Sequence, residues 1–260
     1  MDPRINGDLK YYTFSSFPSR HVRHAVFTRA GGVSPEPFSS LNVGGLAGDT
    51  YSNVVENRRR MLFAFNPDSE GVYDVWQVHG NRVVYTTSPR NRNQQHERAD
   101  AIVTDRINLS LFMQFADCVP ILLYDPVKHV AGIAHAGWQG TVKRTVQHTV
   151  RFMTEKFETD PQHLIAGIGP SIGPDHYEVG ENVLQEVKQN LNEFYSSVIR
   201  ESNNGTYFDL WKGNELLLRQ SGVRQIEVAS ICTACHPEEW FSYRKEGRKS
   251  GRFGALIALK

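Results

Sequence analysis

Residues 109–124, Leu-Ser-Leu-Phe-Met-Gln-Phe-Ala-Asp-Cys-Val-Pro-Ile-Leu-Leu-Tyr, are almost entirely apolar. The run is too short to cross a bilayer, which takes about 18–20 such residues. It therefore demands burial inside a folded core, as strands covered on both faces do. Asp117, Cys118 and Pro120 interrupt it. Two buried strands joined at Asp117-Cys118 satisfy this pattern, and so does one strand with a bulge there. Either arrangement sets a carboxyl and a thiol at a bend in apolar backbone.

The flanking sequence carries both periods. Strand-like runs cover 22–28, 72–78, 83–87, 130–135, 164–168, 226–231 and 255–259. Apolar residues at helical spacing follow Asp49 or Thr50 (Val54, Val55, Met61, Leu62, Phe65) and stop before Pro67. A second helix is expected from the Gly137–Gly140 turn onward, through Val142, Val146, Val150, Met153 and Phe157. A third holds Val183, Val187, Leu191 and Phe194, and a fourth is capped by Asp209 and runs through Leu210, Leu217 and Leu218. A Gly/Ser/Pro-rich loop spans 29–48, and the polar stretch 88–98 reads as an exposed loop. Helices and strands mixed without regular βαβ alternation predict an α+β fold. No Gly-x-Gly-x-x-Gly follows a strand and no Walker loop occurs, which argues against dinucleotide and P-loop folds.

Charge narrows the function classes. Lys and Arg number 29 against 28 Asp and Glu, a formal net charge of +1. Neither nucleic acid nor an anionic membrane is an expected partner. The first residues, Met-Asp-Pro-Arg-Ile-Asn-Gly-Asp, lack the apolar core of a signal peptide. The three cysteines then read as reduced thiols in a cytoplasmic protein.

Two histidines match Cys118 in placement. His79 in Val-His-Gly and His135 in Ala-His-Ala-Gly-Trp also sit at strand ends beside small residues. Two imidazoles and a thiolate make the ligand count of an open, catalytic zinc site. Asp117 is a candidate to orient a ligand or act as acid or base. Without metal, Cys118 would serve as a nucleophile with His135 as its base. Cys232-Thr-Ala-Cys235-His236 matches a haem-attachment pattern, but the absence of an export signal leaves it as two thiols on a strand and its following loop, dispensable for catalysis.

The segments Thr28-Arg29-Ala-Gly-Gly, Ser40-Leu-Asn42-Val-Gly44, Asn57-Arg58, Gln77-Val-His79-Gly80, Ala116-Asp-Cys118-Val-Pro120, Ala134-His135-Ala-Gly-Trp138, Gly169-Pro-Ser-Ile-Gly-Pro174, Tyr177-Glu-Val-Gly180 and Phe241-Ser-Tyr-Arg244 resemble, in order, the YfiH family. This is the laccase-domain or polyphenol-oxidase family that includes the YlmD proteins. The resemblance implies one catalytic domain over residues 1–260, a four-layer α/β/β/α sandwich distantly similar to cytotoxic necrotizing factor. It implies zinc on His79, Cys118 and His135, with copper as the alternative metal. It implies phosphorolysis of adenosine, inosine, guanosine and methylthioadenosine, and deamination of adenosine. Arg29, Asn42, Arg58, Gln77 and Arg244, which lie in the matching segments, are expected to bind nucleoside and phosphate. Many relatives carry cysteines between the positions of Ser171 and His176; this chain has none there, so essential ligands are not expected in that stretch.

The alternative of copper-dependent phenol oxidation meets a ligand shortage. Multicopper oxidation draws on paired histidines, and the ten histidines here include no His-x-His. Three ligands suit one open Lewis-acid site. A zinc-stabilised binding module is the non-enzyme alternative, but structural zinc usually takes four protein ligands.

Overall fold

The computed structural model describes residues 1–91 and 93–260. Strands β1 (Asp2–Asn6), β2 (Leu9–Thr13) and β3 (Val22–Phe27) precede helix α1 (Tyr51–Phe65). Strands β4 (Gly71–Asp74), β5 (Val83–Tyr85), β6 (Ala101–Thr104), β7 (Leu109–Phe115), β8 (Val119–Asp125) and β9 (Val130–Ala136) follow. Then come α2 (Trp138–Val142), α3 (Thr145–Phe157), β10 (Ile165–Ile168), α4 (Glu181–Asn190), α5 (Tyr195–Val198), β11 (Ile199–Ser202) and β12 (Gly205–Phe208). The chain closes with α6 (Leu210–Gln220), β13 (Gln225–Val228), α7 (Tyr243–Glu246) and β14 (Phe253–Leu259).

Two six-stranded mixed sheets form, β1-β2-β3-β14-β7-β4 and β13-β10-β8-β9-β6-β5. Strand alternation sorts their side chains into layers. On β7, Leu109, Leu111, Met113 and Phe115 face the second sheet, where Leu122 and Tyr124 of β8 and Ala131 and Ile133 of β9 meet them. The opposite face of the first sheet offers Phe112, Leu256 and Ala258 to Met61 and Phe65 of α1. The opposite face of the second sheet offers Val119, Ile121, Leu123 and Ala134 to Val146, Val150 and Met153 of α3 and Leu217 of α6. The result is the expected α/β/β/α layering.

The apolar run at 109–124 is two strands, β7 and β8, that belong to different sheets. Ala116, Asp117 and Cys118 are the crossing between them. Asp117 takes a left-handed backbone (φ 78°) that turns the chain from one sheet to the other.

Several elements differ from the sequence reading. The helix expected as continuous from Gly137 breaks at Lys143-Arg144, where Arg144 is left-handed (φ 59°). The break lets Thr145 Oγ1 donate to the carbonyl of Gly80 (2.7 Å) and Lys143 Nζ to that of His79 (2.8 Å). The helix through Val183 and Val187 ends at Asn190, and a 3-10 turn at Asn192–Phe194 follows. The hairpins β1–β2 and β11–β12 and strand β6 were not anticipated. β1 is exposed throughout and has no apolar alternation. The polar stretch 88–98 includes residue 92, which lies outside the described residues.

His24 on β3 is 7% exposed and packs in a three-ring cluster with Phe14 and Phe17. Its Nε2 accepts the N–H of Phe14 at 2.7 Å, so the ring must be neutral at that nitrogen. Burial lowers its pKa to about 4. Unfolded histidine titrates near 6.5, so stability present above pH 6.5 is lost as pH falls toward 4, about 3 kcal/mol in all. Denaturant unfolding of His24→Gln at pH 7 and 4.5 is expected to show a smaller pH dependence than the wild type. Equal slopes would remove His24 as the acid-sensitive group.

Candidate active site

Cys118 and His135 meet through strand register. Antiparallel pairing of β8 and β9 sets Val119 opposite Ala136 and Pro120 opposite His135. Cys118, one residue before Val119, therefore faces Gly137, and His135 lies diagonally across. The 17-residue spacing is that of a hairpin arm and its return. A Cβ on Gly137 would stand 2.6 Å from the Cys118 sulfur and 3.7 Å from the His79 ring, so the absence of a side chain there makes room for the thiol.

His79 arrives from a third segment. Its Nε2 lies 4.0 Å from Cys118 Sγ, and its ring meets that of His135 edge-on at 4.9 Å between centroids. One donor atom from each of His79, Cys118 and His135 lies within 4.8 Å of the others. His79 is exposed, Cys118 half-buried and His135 buried, so the cluster opens to one side.

Asp100, just before β6, holds two of these segments. Its Oδ1 accepts the N–H of His79 (2.9 Å) and contacts His135 Nδ1 (2.9 Å). Its Oδ2 accepts the N–H groups of Gly80 (2.6 Å) and Val78 (3.2 Å), while its carbonyl accepts the N–H of His135 (2.8 Å). His79 is left-handed (φ 56°), a conformation that costs about 1–3 kcal/mol and persists only where the surroundings impose it. The Asp100 carboxylate supplies that imposition. With Nδ1 engaged, the donor His135 presents to the cluster is Nε2.

The electrostatics form one coupled set. Burial works against the Cys118 thiolate, but His135 and His79 outweigh it, and the thiol pKa falls well below its ordinary value. Burial likewise opposes a charged His135, and Cys118 and Asp100 outweigh it and raise its pKa. Burial disfavours ionised Asp100, yet His135 and the N–H groups of Gly80 and Val78 hold its pKa below the usual carboxylate value.

The cluster lies in a cleft of about 630 Å³ that draws residues from the 29–50 loop, both sheets, α2, α6 and α7. Trp138, Tyr177 and Tyr243 give it aromatic walls, and Arg244 and Arg252 give it positive charge. Asn57 of α1 shapes the loop side: it donates to Ser34 Oγ and to the carbonyls of Ser40 and Asn42, and accepts the N–H of Val33.

Of the residues expected at a substrate site, Gln77 and Arg244 line the cleft; Arg29, Asn42 and Arg58 do not. Arg29 is bound to the carbonyls of Ser39 and Pro237 and to Glu246. Arg58 is bound to the carbonyl of Val43 and to Asp74. Asn42 is fully buried and orders its own loop. Gln77 faces the cleft but exchanges two hydrogen bonds with the backbone of Gln114. Asp117 also lines the cleft, yet both its oxygens are engaged, by Thr233 Oγ1 and by the N–H of Arg244, each at 2.6 Å. Burial pushes its pKa up against those bonds. The carboxylate that orients a histidine is Asp100, which sequence reasoning overlooked because a lone Asp before a short strand carries no local signal. Arg252 was likewise missed.

Fold and site together define a two-sheet α+β protein with a soft His/Cys/His donor cluster at the floor of an aromatic, cationic cleft. Residues 23–260 match the family model described as multi-copper polyphenol oxidoreductase laccase. The chain belongs to this family, that of the YfiH and YlmD proteins. It is 37% identical over 251 residues to a protein of Bacillus subtilis named purine nucleoside phosphorylase YlmD, covering 93% of this chain and 90% of that one. A purine nucleoside phosphorylase of Deinococcus radiodurans is 36% identical over 243 residues, covering 93% and 91%. Among solved structures, YfiH from Bacillus licheniformis superposes with a TM-score of 0.90 at 31% identity, covering 99% of each chain. YlmD from Geobacillus stearothermophilus gives 0.87 at 31% identity, covering 99% of this chain and 98% of that one.

Proposed function

We propose that this chain is a zinc-dependent purine nucleoside enzyme, with phosphorolysis of adenosine, inosine, guanosine and methylthioadenosine and deamination of adenosine as its reactions. The observation that carries this reading is the open three-donor cluster at the floor of a nucleoside-sized cleft, taken with relatives named purine nucleoside phosphorylase. The donor set fits zinc: two imidazoles and a thiol of lowered pKa, one imidazole fixed by a carboxylate, and one side open. When bound there, zinc would supply a Lewis-acid position that polarises a ligand oxygen or nitrogen.

The chain's own groups do the rest. Trp138 and Tyr243 line the cleft with aromatic surface suited to a purine, while the Tyr177 ring is packed by Arg244 and Phe208 and serves as wall. Arg252 is the better candidate for phosphate: the Arg244 guanidinium engages Nη1 and Nη2 with the carbonyls of His176 and Glu178, whereas Arg252 engages only Nη1, with the carbonyls of Ser250 and Gly251. Asp117 positions: it holds the sheet crossing against Thr233 and α7. Asp100 keeps His135 in one tautomer and balances the positive charge of the imidazolium when His135 is protonated. The cleft draws residues from positions 44 to 252, in keeping with one catalytic unit over 1–260. Three free thiols favour the reducing cytoplasm as its location; no helix among the described residues is long and apolar enough to cross a membrane.

A second reading has one specific support. Cys118, His135 and Asp100 stand in the order of a nucleophile, its base and an orienting carboxylate. A metal-free hydrolase of that kind has no use for His79, and the approach of His79 to the same sulfur favours the metal. Zinc-loaded protein incubated with adenosine is expected to release adenine only with phosphate and inosine without it. Chelation should stop both and added zinc restore them. Turnover that persists in thoroughly chelated protein would favour the thiol mechanism. Neither product, with sustained phenol oxidation by a copper-loaded sample, would overturn the nucleoside reading.

A further inference from the structure

A second cluster of donors lies beside the cleft, and none of its members belongs to the first. Asp175 and His176 sit in the loop after β10, and Cys232 and Cys235 follow β13. One donor atom from each lies within 4.8 Å of all the others. His176 Nδ1 is 3.2 Å from Asp175 Oδ2, 3.5 Å from Cys235 Sγ and 3.9 Å from Cys232 Sγ.

Tetrahedral geometry sets what these separations should be. With Zn–S bonds of about 2.3 Å and Zn–N and Zn–O bonds of about 2.0–2.1 Å, the edges are about 3.5 Å for N···S and about 3.4 Å for N···O. The three separations from His176 Nδ1 lie within about 0.4 Å of those edges and every other donor pair lies within 4.8 Å, so a zinc ion fits as the ligands draw in around it. The Cys-x-x-Cys spacing is that of zinc-binding turns. Cys232, 6% exposed, also accepts the N–H of Gly173 at 3.1 Å, which fixes the position of its sulfur. Backbone hydrogen bonds between Ser171 and both Ile231 and Thr233 hold the two loops in register.

We infer that Asp175, His176, Cys232 and Cys235 form a second, four-ligand zinc site whose role is structural. Four protein ligands close the coordination sphere and leave no position for substrate. The site would fasten one wall of the cleft. Tyr177 follows His176 directly and lines the cleft, and the Arg244 guanidinium lies over its ring at 5.0 Å while donating to the His176 carbonyl at 2.9 Å. This inference does not depend on the chemistry of the first cluster. It places two ligands in or beside the 171–176 stretch, where the sequence led us to expect no essential ones, and gives Cys232 and Cys235 a role outside catalysis.

Metal content separates the two sites. Cys118→Ala removes a ligand of the first cluster only. Purified with zinc and freed of loose metal, it is expected to retain one zinc per chain by mass spectrometry, and Cys118→Ala combined with Cys232→Ser and Cys235→Ser to retain none. Cobalt added to metal-stripped Cys118→Ala should give sulfur-to-cobalt charge-transfer absorption with tetrahedral visible bands, and the same protein with His176→Ala should show them weakened and shifted. The cobalt spectrum of Cys118→Ala needs no change at the second cluster, so misfolding of the triple variant would not blunt the test. Cys118→Ala that holds no zinc and gives no such absorption would overturn the site. So would a Cys232–Cys235 disulfide, seen as a two-hydrogen mass loss in protein purified without oxidant.

Discussion

Cys118→Ala is expected to lower turnover with adenosine by more than about a thousandfold, with and without phosphate, while the fold survives. The sulfur lies between two imidazoles and is the one anionic donor of its cluster. Removing it leaves His79 and His135, too few ligands to fix a metal in an open site. The fold should tolerate the change because Cys118 lies at the mouth of the inter-sheet layer, half-buried, and Gly137 beside it has no side chain to lose contact with. Cys118→Ser should be nearly as inactive, since a hydroxyl is a poor ligand at neutral pH. Steady-state rates and far-ultraviolet dichroism on the same samples check both halves. Activity within tenfold of wild type would remove Cys118 from the centre.

The second large effect is expected at Asp100, which touches no substrate in the proposed reaction. Asp100→Ala deprives three N–H groups, those of Val78, His79 and Gly80, of their acceptor and frees His135 Nδ1. These donors are part-buried, and a fully buried donor left unpaired costs about 1–3 kcal/mol, so a fall in Tm accompanies the loss of activity. Release of the left-handed His79 backbone and of the His135 tautomer should weaken metal binding by about 10–100-fold. Asp100→Asn discriminates between the roles. One amide oxygen still accepts, but the amide nitrogen then faces N–H donors, so metal affinity should fall while part of the stability returns. Competition with a chromogenic chelator measures the affinity. Unchanged affinity in both variants would reduce Asp100 to a structural residue.

How much of this was legible can be judged from particular elements. The strand and helix periods placed β3, β7, β8, β9, α1, α6 and β14 close to where they stand, because each buries an apolar face against a layer. β1 was invisible because every residue of it is exposed, and its pairing with β2 is made by backbone alone. The break between α2 and α3 left no mark in the apolar spacing, since Val142, Val146 and Val150 stay on one face through it. What accompanies it is long-range, the hydrogen bonds of Lys143 and Thr145 to residues 79 and 80. Arg29 and Arg58 have the chemistry of phosphate ligands, and only their positions show that backbone carbonyls and carboxylates occupy them.

Residue chemistry alone identified His79, Cys118 and His135 as a candidate cluster, because thiol and imidazole at the ends of apolar runs are unusual whatever the fold. Periodicity alone pointed to the α+β class, because a strand or helix must bury its apolar face; the four-layer sandwich was what the family resemblance implied. The convergence of three segments, the carboxylate that braces two of them and the gathering of Asp175 and His176 with Cys232 and Cys235 came only from tertiary structure. These depend on which strands pair and in what register, and on a chain crossing between sheets at Asp117. Pairing across 50 or more residues is decided by the packing of the whole core, and no local stretch of sequence encodes it.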